Sequence, residues 1–548
     1  MKDFRTCVKA LAAMGRPLVG RILVSCIIGA VRIAASMAFV WVCKELVDIA
    51  TGDSSADLRL HVGIMIGIML VQILAATAQG WWEGMVVTRT QNAFRAKVFS
   101  HVLASEWHGR EAFHSGDMVN RLEDDTRVVV DLLCTRVPDF IITIVQLLAA
   151  SAFLFVLEPS LLWVLLILMP VAAIGSKMFF KTIRKLTSLI RAGDSRVQGH
   201  MQENLQQRVL VKTLGCEDKV TGRLDELQKD VMDNTIRRLN YNAGARGFLR
   251  FGFMAGYAAA FLWGVFGIKS GAVTFGMMTA FLQLVGQVQR PIADISRHIP
   301  AFIHSLTSVE RLLELTELPL ETNEGDILFK GAPGIRVEDV TFAYSDVPEG
   351  MPAQMVFEHF THDFKPGTVT AIMGVTGAGK STLTRLMLAL LRPTSGSITV
   401  YDDEVSATVS PATRCNFRYV PQGNSLMSGT VRDNLLMANP SATEEEMKEA
   451  LHMAVADFIF DLPDGLDTLC SEKGSGLSEG QAQRVAIARA LLHSGGVLIL
   501  DESTSALDRD TEDELLRRLS KRLSGGKTII WITHRESVTS IADAVLRI

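Results

Sequence analysis

Four stretches of this chain run for roughly 18 residues or more without a charged side chain: Val62–Trp82, Phe140–Leu157, Phe251–Ile268 and Gly271–Gln289. Leu161–Ser176 is shorter but flanked by apolar residues, and Ile22–Cys43 is interrupted only by Arg32. Soluble core helices seldom run so far without a charge on either face. Backbone exposed to lipid must satisfy its own hydrogen bonds, so six transmembrane helices are predicted, at about 22–43, 62–82, 140–157, 161–176, 251–268 and 271–289. With 548 residues, 48% of them hydrophobic, the chain is too apolar to be disordered. Concentration of the apolar runs in the first half excludes a purely soluble enzyme.

The connections between spans are uneven. Those near 50–61, 157–160 and 268–271 are short, with few basic residues (Arg59, Lys269), whereas 83–139 and 177–250 are long, charged and rich in Lys and Arg. The positive-inside bias places the long connections and both termini in the cytoplasm, in keeping with the N-terminal Lys2, Arg5, Lys9, Arg16 and Arg21. No small-residue cleavage site follows a short apolar stretch, so the first span is expected to be retained. Residues 177–245 predict a helical hairpin reaching about 40 Å, with arms of about 30 residues at 1.5 Å per residue. Stalks of that kind are expected to touch the second half of the chain. The compact, loop-poor plan points to a bacterial cytoplasmic (inner) membrane.

Other classes recede. A net charge of −4 argues against nucleic-acid binding. Seven scattered cysteines, with no CxxC and no metal-type spacing, read as reduced thiols, with neither a disulfide framework nor a zinc site. Within the spans, Arg32, and Gln283 with Gln287 one turn apart and Arg290 following, serve either interhelical hydrogen bonding or a polar or anionic group on a transported ligand. Trp81–Trp82 reads as an interfacial anchor, and Met254, Met277 and Met278 as core filling.

After Leu315 the composition changes. Residues 316–334, with Pro319, Glu321, Asn323 and Glu324, read as a linker between a transmembrane domain (1–315) and a second domain (335–548) that alternates β-rich and helical runs. In it Gly374, Val375, Thr376, Gly377, Ala378, Gly379, Lys380 and Ser381 follow the strand-like VTAIM and precede the helical TLTRLMLALL. This is a P-loop: glycines let backbone N–H groups turn inward around phosphate oxygens, and the following helix adds its positive end. Lys380 would reach the β- and γ-phosphates and Ser381 would ligate Mg²⁺, with Thr382 beside it. Gly496–Glu502 (GVLILDE) is an apolar strand ending in two carboxylates, Asp501 to hold the metal and Glu502 to polarise the attacking water. An ordinary strand running into an acidic turn explains VLILDE alone, but not its company with a P-loop.

Between these lies Gly474–Arg489, GSGLSEGQAQRVAIAR. Here the sequence resembles the ATP-binding cassette (ABC) transporters. Leu477–Gln481 (LSEGQ) is similar to the family signature, which implies that Ser478, Gly480 and Gln481 meet the γ-phosphate of ATP held by an opposite subunit. The resemblance further implies that Tyr344 stacks on adenine, that Gln422 in YVPQ senses Mg²⁺ and the attacking water, that Ser505–Asp508 crosses a dimer interface through Asp508, and that His534 contacts the γ-phosphate. It extends to the membrane half. Ser115–Asp125 resembles the first coupling region, Leu210–Glu217 the second, with tips expected beside Gln422 and Glu472, and Val309–Leu313 the exit into the nucleotide domain. The implied fold is an all-α six-helix transmembrane domain with long cytoplasmic helical extensions, joined to an α/β P-loop ABC ATPase domain. Six spans and one cassette make a half-transporter, which implies ATP and Mg²⁺ as cofactors and a second half-transporter chain as partner.

Two departures bear on this. Glu479 stands where glycine is commonest in the signature; pointing at phosphate from about 6 Å, a carboxylate would cost about 2–3 kcal/mol at an effective dielectric near 20, and pointing to solvent it costs nothing. The sequence also ends at Ile548, soon after His534, where the family continues through another strand, turn and helix. A homodimer is expected; an asymmetric heterodimer, an importer or a regulator on the same frame stays open. So does the cargo, whether small molecule, lipid or peptide.

Overall fold

The computed structural model describes residues 4–107, 115–322, 325–344, 354–375, 377–470, 476–523 and 526–548. Two compact units emerge: Met1–Phe99 with Val119–Thr316, and Ser100–Met118 with Glu317–Ile548.

All the regular secondary structure among the described residues of the first unit is helical. Four helical runs are long and apolar enough to cross a membrane by length and composition: Arg5–Thr51, Leu58–Ala104, Asp117–Leu157 and Glu217–Lys269. Residues 161–176 lie within the helix Pro159–Lys177, and the last long helix is Phe275–Thr316. That helix starts four residues later than the apolar run suggests. Gly271 adopts φ +73°, a left-handed conformation that ends the preceding helix, and Ala272 N–H donates back to Gly267. Its new start is fixed by Asp48, whose Oδ1 accepts from Gly276 N–H at 3.0 Å while Lys44 pairs with Asp48 at 3.0 Å.

Apolar side chains on all sides let these helices bury one stripe and expose the other. Val40, Leu154, Leu165, Ala260, Phe281 and Leu284 form a buried cluster, while Leu74, Val156 and Phe266 stay exposed, as lipid-facing positions do. Arg32, Gln283 and Gln287 are half-buried and Arg290 is exposed. Of the paired tryptophans, Trp81 is exposed and Trp82 donates from Nε1 to the Arg21 carbonyl at 3.3 Å.

Phe180–Gln206 and Glu217–Lys269 are the two arms of a hairpin joined by the short helix Arg208–Leu214. At 1.5 Å per residue the first arm is about 40 Å long. The arms approach closely where Gly193 faces Val231, leaving a Cβ only 2.6 Å from the valine. Two π-helical turns, Arg121–Asp125 and Leu132–Arg136, interrupt the run from Ser115 to Leu157. In the first, Arg121 donates to Glu314 at 2.5 Å and Asp125 pairs with Arg311 at 3.3 Å. Arg121–Asp125, the last part of the segment resembling the first coupling region, therefore packs against residues 311–314 inside this unit.

The second unit holds an antiparallel sheet of β1 (Gly334–Tyr344), β2 (Gln354–Phe364), β4 (Ser395–Tyr401) and β5 (Ser406–Thr408), in the order β2-β1-β4-β5. A parallel sheet runs β11-β3-β10-β9-β6, from β3 (Val369–Met373), β6 (Phe417–Val420), β9 (Val497–Asp501), β10 (Thr528–Ile532) and β11 (Ala544–Arg547). β7 (Gly429–Thr430) and β8 (Leu469–Cys470) form a small ribbon. β9 and β10 are buried along their whole length, which is why they read as continuous apolar runs rather than alternating ones.

The stretch 317–322 is stitched to residues 101–106. Glu106 N–H donates to Pro319, Glu321 N–H to Ala104, and His101 Nε2 lies 3.1 Å from the Leu318 carbonyl. Arg414 grips Glu321 through two 2.9 Å hydrogen bonds, and Phe329 is buried against the antiparallel sheet. Asn323 and Glu324 lie outside the described residues.

Candidate active site

Four neighbouring parallel strands end at one edge of their sheet, and each delivers its next residues to the same place. β3 runs into Gly374–Gly379, β10 into His534, β9 ends at Asp501 and passes to Glu502, and β6 leads to Gln422. The carboxyl edge of an open α/β sheet is where such folds bind ligands.

Lys380 opens the helix Lys380–Met387 behind Gly377 (φ +90°) and Gly379 (φ +99°). At Gly379 a Cβ would stand 2.7 Å from Val356, so both conformation and space require glycine. The buried Lys380 ammonium donates to the Gly374 and Val375 carbonyls at 2.9 and 3.2 Å. Its Nζ also lies 3.1 Å from His534 Nε2 and 3.8 Å from Glu502 Oε1. Ser381 is exposed in the first turn and Thr382 buried; Thr376 lies outside the described residues.

Glu502 is the centre of the cluster. Gln422 Nε2 donates to its Oε2 at 2.7 Å, and His534 Nε2 lies 2.9 Å from its Oε1. Its backbone sits at φ +45°, a conformation that costs a non-glycine residue about 1–3 kcal/mol and collects at functional sites. Two hydrogen bonds hold it there: Glu502 N–H to Ile532 at 3.0 Å, and Ser505 N–H to Glu502 at 3.2 Å. Asp501 beside it is buried and accepts from the Tyr419 hydroxyl at 3.3 Å. Burial pushes its carboxyl above the usual range; the Tyr419 hydrogen bond offsets part of this, and the Glu502 charge adds to it. A carboxylate so placed gains from a cation.

Tyr344 ends β1, packs edge-on against Phe342 at 5.1 Å, and shares a 3.1 Å hydrogen bond with the Thr382 hydroxyl. The signature residues form a separate group. Ser478 caps the helix Glu479–Leu492: its hydroxyl accepts from Gln481 N–H at 3.2 Å, and Gln481 Oε1 accepts from Ser478 N–H at 2.9 Å. Glu479 is exposed in the first turn, where a carboxylate favours the positive helix end. Gly480 faces the 505–508 loop, leaving a Cβ only 2.7 Å from the Ala506 carbonyl. Asp508 caps the next helix, accepting from Thr511 N–H at 3.2 Å. Among the described residues, Ser478, Gly480, Gln481 and Asp508 share no hydrogen bond or ion pair with Lys380, Gln422, Glu502 or His534. Residues 471–475, including Glu472, lie outside the described residues.

Sequence reasoning missed the residues that join these groups. Gln483, fully buried, donates to Ser505 Oγ at 3.4 Å and accepts from Ala506 N–H at 3.3 Å. Arg535, next to His534, donates to the Ser505 and Leu507 carbonyls at 3.1 and 2.9 Å and to Glu512 at 2.7 Å. A glutamine on the Ala/Val/Ile face of the signature helix was the available signal for the first. The second carries no local signal.

The arrangement defines a P-loop nucleotide hydrolase fused to a membrane region. Comparison with known proteins carries this further. The family described as ABC transporter transmembrane region matches residues 22–292, and the ABC transporter family matches 357–505. "Uncharacterized ABC transporter ATP-binding protein y4gM" of Sinorhizobium fredii (strain NBRC 101917 / NGR234) is 29% identical over 95% of this chain and 89% of its own length. "ABC multidrug transporter mdr2" of Aspergillus fumigatus (strain ATCC MYA-4609 / CBS 101355 / FGSC A1100 / Af293) is 28% identical over 89% of this chain and 62% of its own. Among solved structures, a bacterial Atm1-family ABC exporter with ATP bound has the same fold: TM-score 0.80 at 22% identity, covering 97% of this chain and 93% of that one. The chain belongs to the ATP-binding cassette transporters, with the membrane region and the ATPase fused in one polypeptide. It is a multi-pass membrane protein whose cassette binds ATP and couples its hydrolysis to transport.

Proposed function

We propose that this chain is one half of a homodimeric exporter of the bacterial inner membrane, with both termini cytoplasmic and two ATP sites shared between the chains. The observation that carries this reading is the split within the cassette. Lys380, Gln422, Glu502 and His534 converge, while Ser478, Gly480, Gln481 and Asp508 stand apart from them. A group built to meet ATP on a second copy would be expected to stand apart in this way.

In this reading Gly374–Thr382 cradle the triphosphate, Tyr344 stacks on the base, and Glu502 polarises the attacking water while Gln422 and His534 orient it. Ser381, Asp501 and the Gln422 amide oxygen would hold Mg²⁺. They are hard oxygen donors, and a single carboxylate with a hydroxyl suits a cation whose coordination is completed by phosphates and water. The buried Asp501 carboxyl, raised by desolvation, fits that role. When bound, the ion supplies charge neutralisation at the phosphates. Of the cargo classes, the name of the Aspergillus relative supports small molecules. The substrate must bind the inward and outward states unequally for ATP to drive it.

Complementation tests the shared sites. Lys380→Ala and Ser478→Arg should each abolish turnover alone, and co-expression of the two should restore a clear fraction, because a mixed dimer keeps one intact pairing. No recovery from the mixture would contradict sharing.

A further inference from the structure

Trp107 lies outside every motif of the cassette, yet Arg385 links it to the tyrosine assigned to the nucleotide base. Its backbone is fixed by its neighbours: Glu106 N–H donates to Pro319 at 2.8 Å, Ser105 bridges to Leu320, and the Glu106 carboxylate pairs with Arg392. The indole carries the guanidinium of Arg385 over its face, 4.9 Å from the ring centre. Arg385 in turn lies 3.5 Å from the Tyr344 hydroxyl through Nη1, and that hydroxyl meets Thr382, two residues past Lys380. Trp107 and Tyr344 also line one cavity of about 930 Å³ within this unit.

We propose that Trp107 is a positioning residue for nucleotide binding: it holds Arg385 flat, and Arg385 holds Tyr344 in place for the base. Guanidinium stacking on an aromatic face leaves the edge N–H groups free to donate, so one arginine can be gripped by Trp107 and still reach Tyr344. Without the indole, Arg385 regains its rotamers and the tyrosine keeps only Thr382 of these two partners. The inference rests on the assignment of Tyr344 to the base.

The test uses the full chain in lipid nanodiscs. ATP KM and kcat, and inhibition by inorganic tripolyphosphate, which has no base, are measured for Trp107→Ala, Trp107→Phe, Tyr344→Ala and the Trp107→Ala/Tyr344→Ala double variant. Trp107→Ala should raise KM about fivefold, leave kcat within about twofold and leave tripolyphosphate inhibition unchanged; Trp107→Phe should recover most of the loss. The double variant should be no worse than Tyr344→Ala, because both act on one contact. An unchanged KM in Trp107→Ala, a parallel loss of tripolyphosphate binding, or additive effects in the double variant would overturn the inference while leaving Tyr344 its role. An unchanged KM in Tyr344→Ala would overturn both. Arg385→Lys, which keeps the charge but loses the planar stack, carries the same expected KM rise and decides the matter should Trp107→Ala fail to fold.

Discussion

His534 Nε2 stands 2.9 Å from Glu502 Oε1, and the same nitrogen is 3.1 Å from Lys380 Nζ. A single imidazole nitrogen thus lies between a carboxylate and an ammonium. Protonated, it donates to Glu502; unprotonated, it accepts from Lys380. Gln422 occupies the other Glu502 oxygen at 2.7 Å. The carboxylate is held from both sides by residues that different strands supply, so its orientation depends on the sheet as a whole.

Glu502→Gln keeps the shape and removes the base. Turnover should fall by about 10²–10⁴-fold with ATP affinity kept within a few fold, measured as phosphate release and nucleotide binding on the same preparation. His534→Ala frees Oε1 of Glu502 and should lower kcat more than it raises KM. Parallel losses of binding and turnover in Glu502→Gln would remove it from the chemical step.

Gly480→Ala sets helix preference against sterics. Alanine gains about 1 kcal/mol over glycine inside a helix. Its Cβ would stand 2.7 Å from the Ala506 carbonyl, and such overpacking costs about 1–3 kcal/mol while pushing the 505–508 loop aside. The expected outcome is near-native thermal stability with ATPase down about tenfold or more, checked by a melting curve beside a turnover assay. Full activity would mean that the loop position does not matter to the site.

Glu479 occupies the exposed first turn of the signature helix, where its charge favours the helix end by about 0.5 kcal/mol. Glu479→Gly should therefore change ATP KM and kcat by no more than about twofold. A tenfold gain in ATP affinity would show instead that the carboxylate faces phosphate, since removing a 2–3 kcal/mol repulsion has at least that effect.

Acid should unfasten one charge network in the cassette. Hydrogen bonds from Arg517 and Arg518 hold Glu514 down to about 2. Burial works to raise Asp457, but hydrogen bonds from His452 and Arg518 prevail and lower it. Carboxylates depressed in the folded state contribute stability above their unfolded values near 4, and lose it as pH falls through the folded ones. Arg518→Gln should lower the thermal midpoint at pH 7 by about 1–2 °C, since much of the network is exposed and screened. That gap should narrow markedly by about pH 3 and close only near pH 2, where the folded Glu514 titrates. An equal gap at pH 7 and pH 3 would assign the effect to packing.

How much of this was legible in the sequence depends on distance along the chain. The P-loop, the strand ending in Asp501 and Glu502, and the helix capped by Ser478 are local patterns, read from a dozen residues each. The meeting of Gln422, Glu502 and His534 follows from the order β3-β10-β9-β6, which no local pattern carries. The same holds for residues 101–107, which read as part of a membrane-domain connection. Their partners Leu318, Pro319, Leu320, Arg385 and Arg392 lie more than two hundred positions away. Gly271 shows a smaller limit: an uncharged run marks apolar residues, whereas the helix end is set by a positive φ that hydropathy does not register.

On the reading proposed above, one chain type, paired with itself, forms working ATP sites. The most direct measurement is Mg²⁺-ATP hydrolysis by this chain purified alone in lipid nanodiscs, with Glu502→Gln as the blank. The expected result is turnover about a hundredfold or more above the blank, in particles containing two chains. Turnover no higher than the blank in folded, two-chain particles would contradict the homodimer and point to a different partner chain for the signature residues.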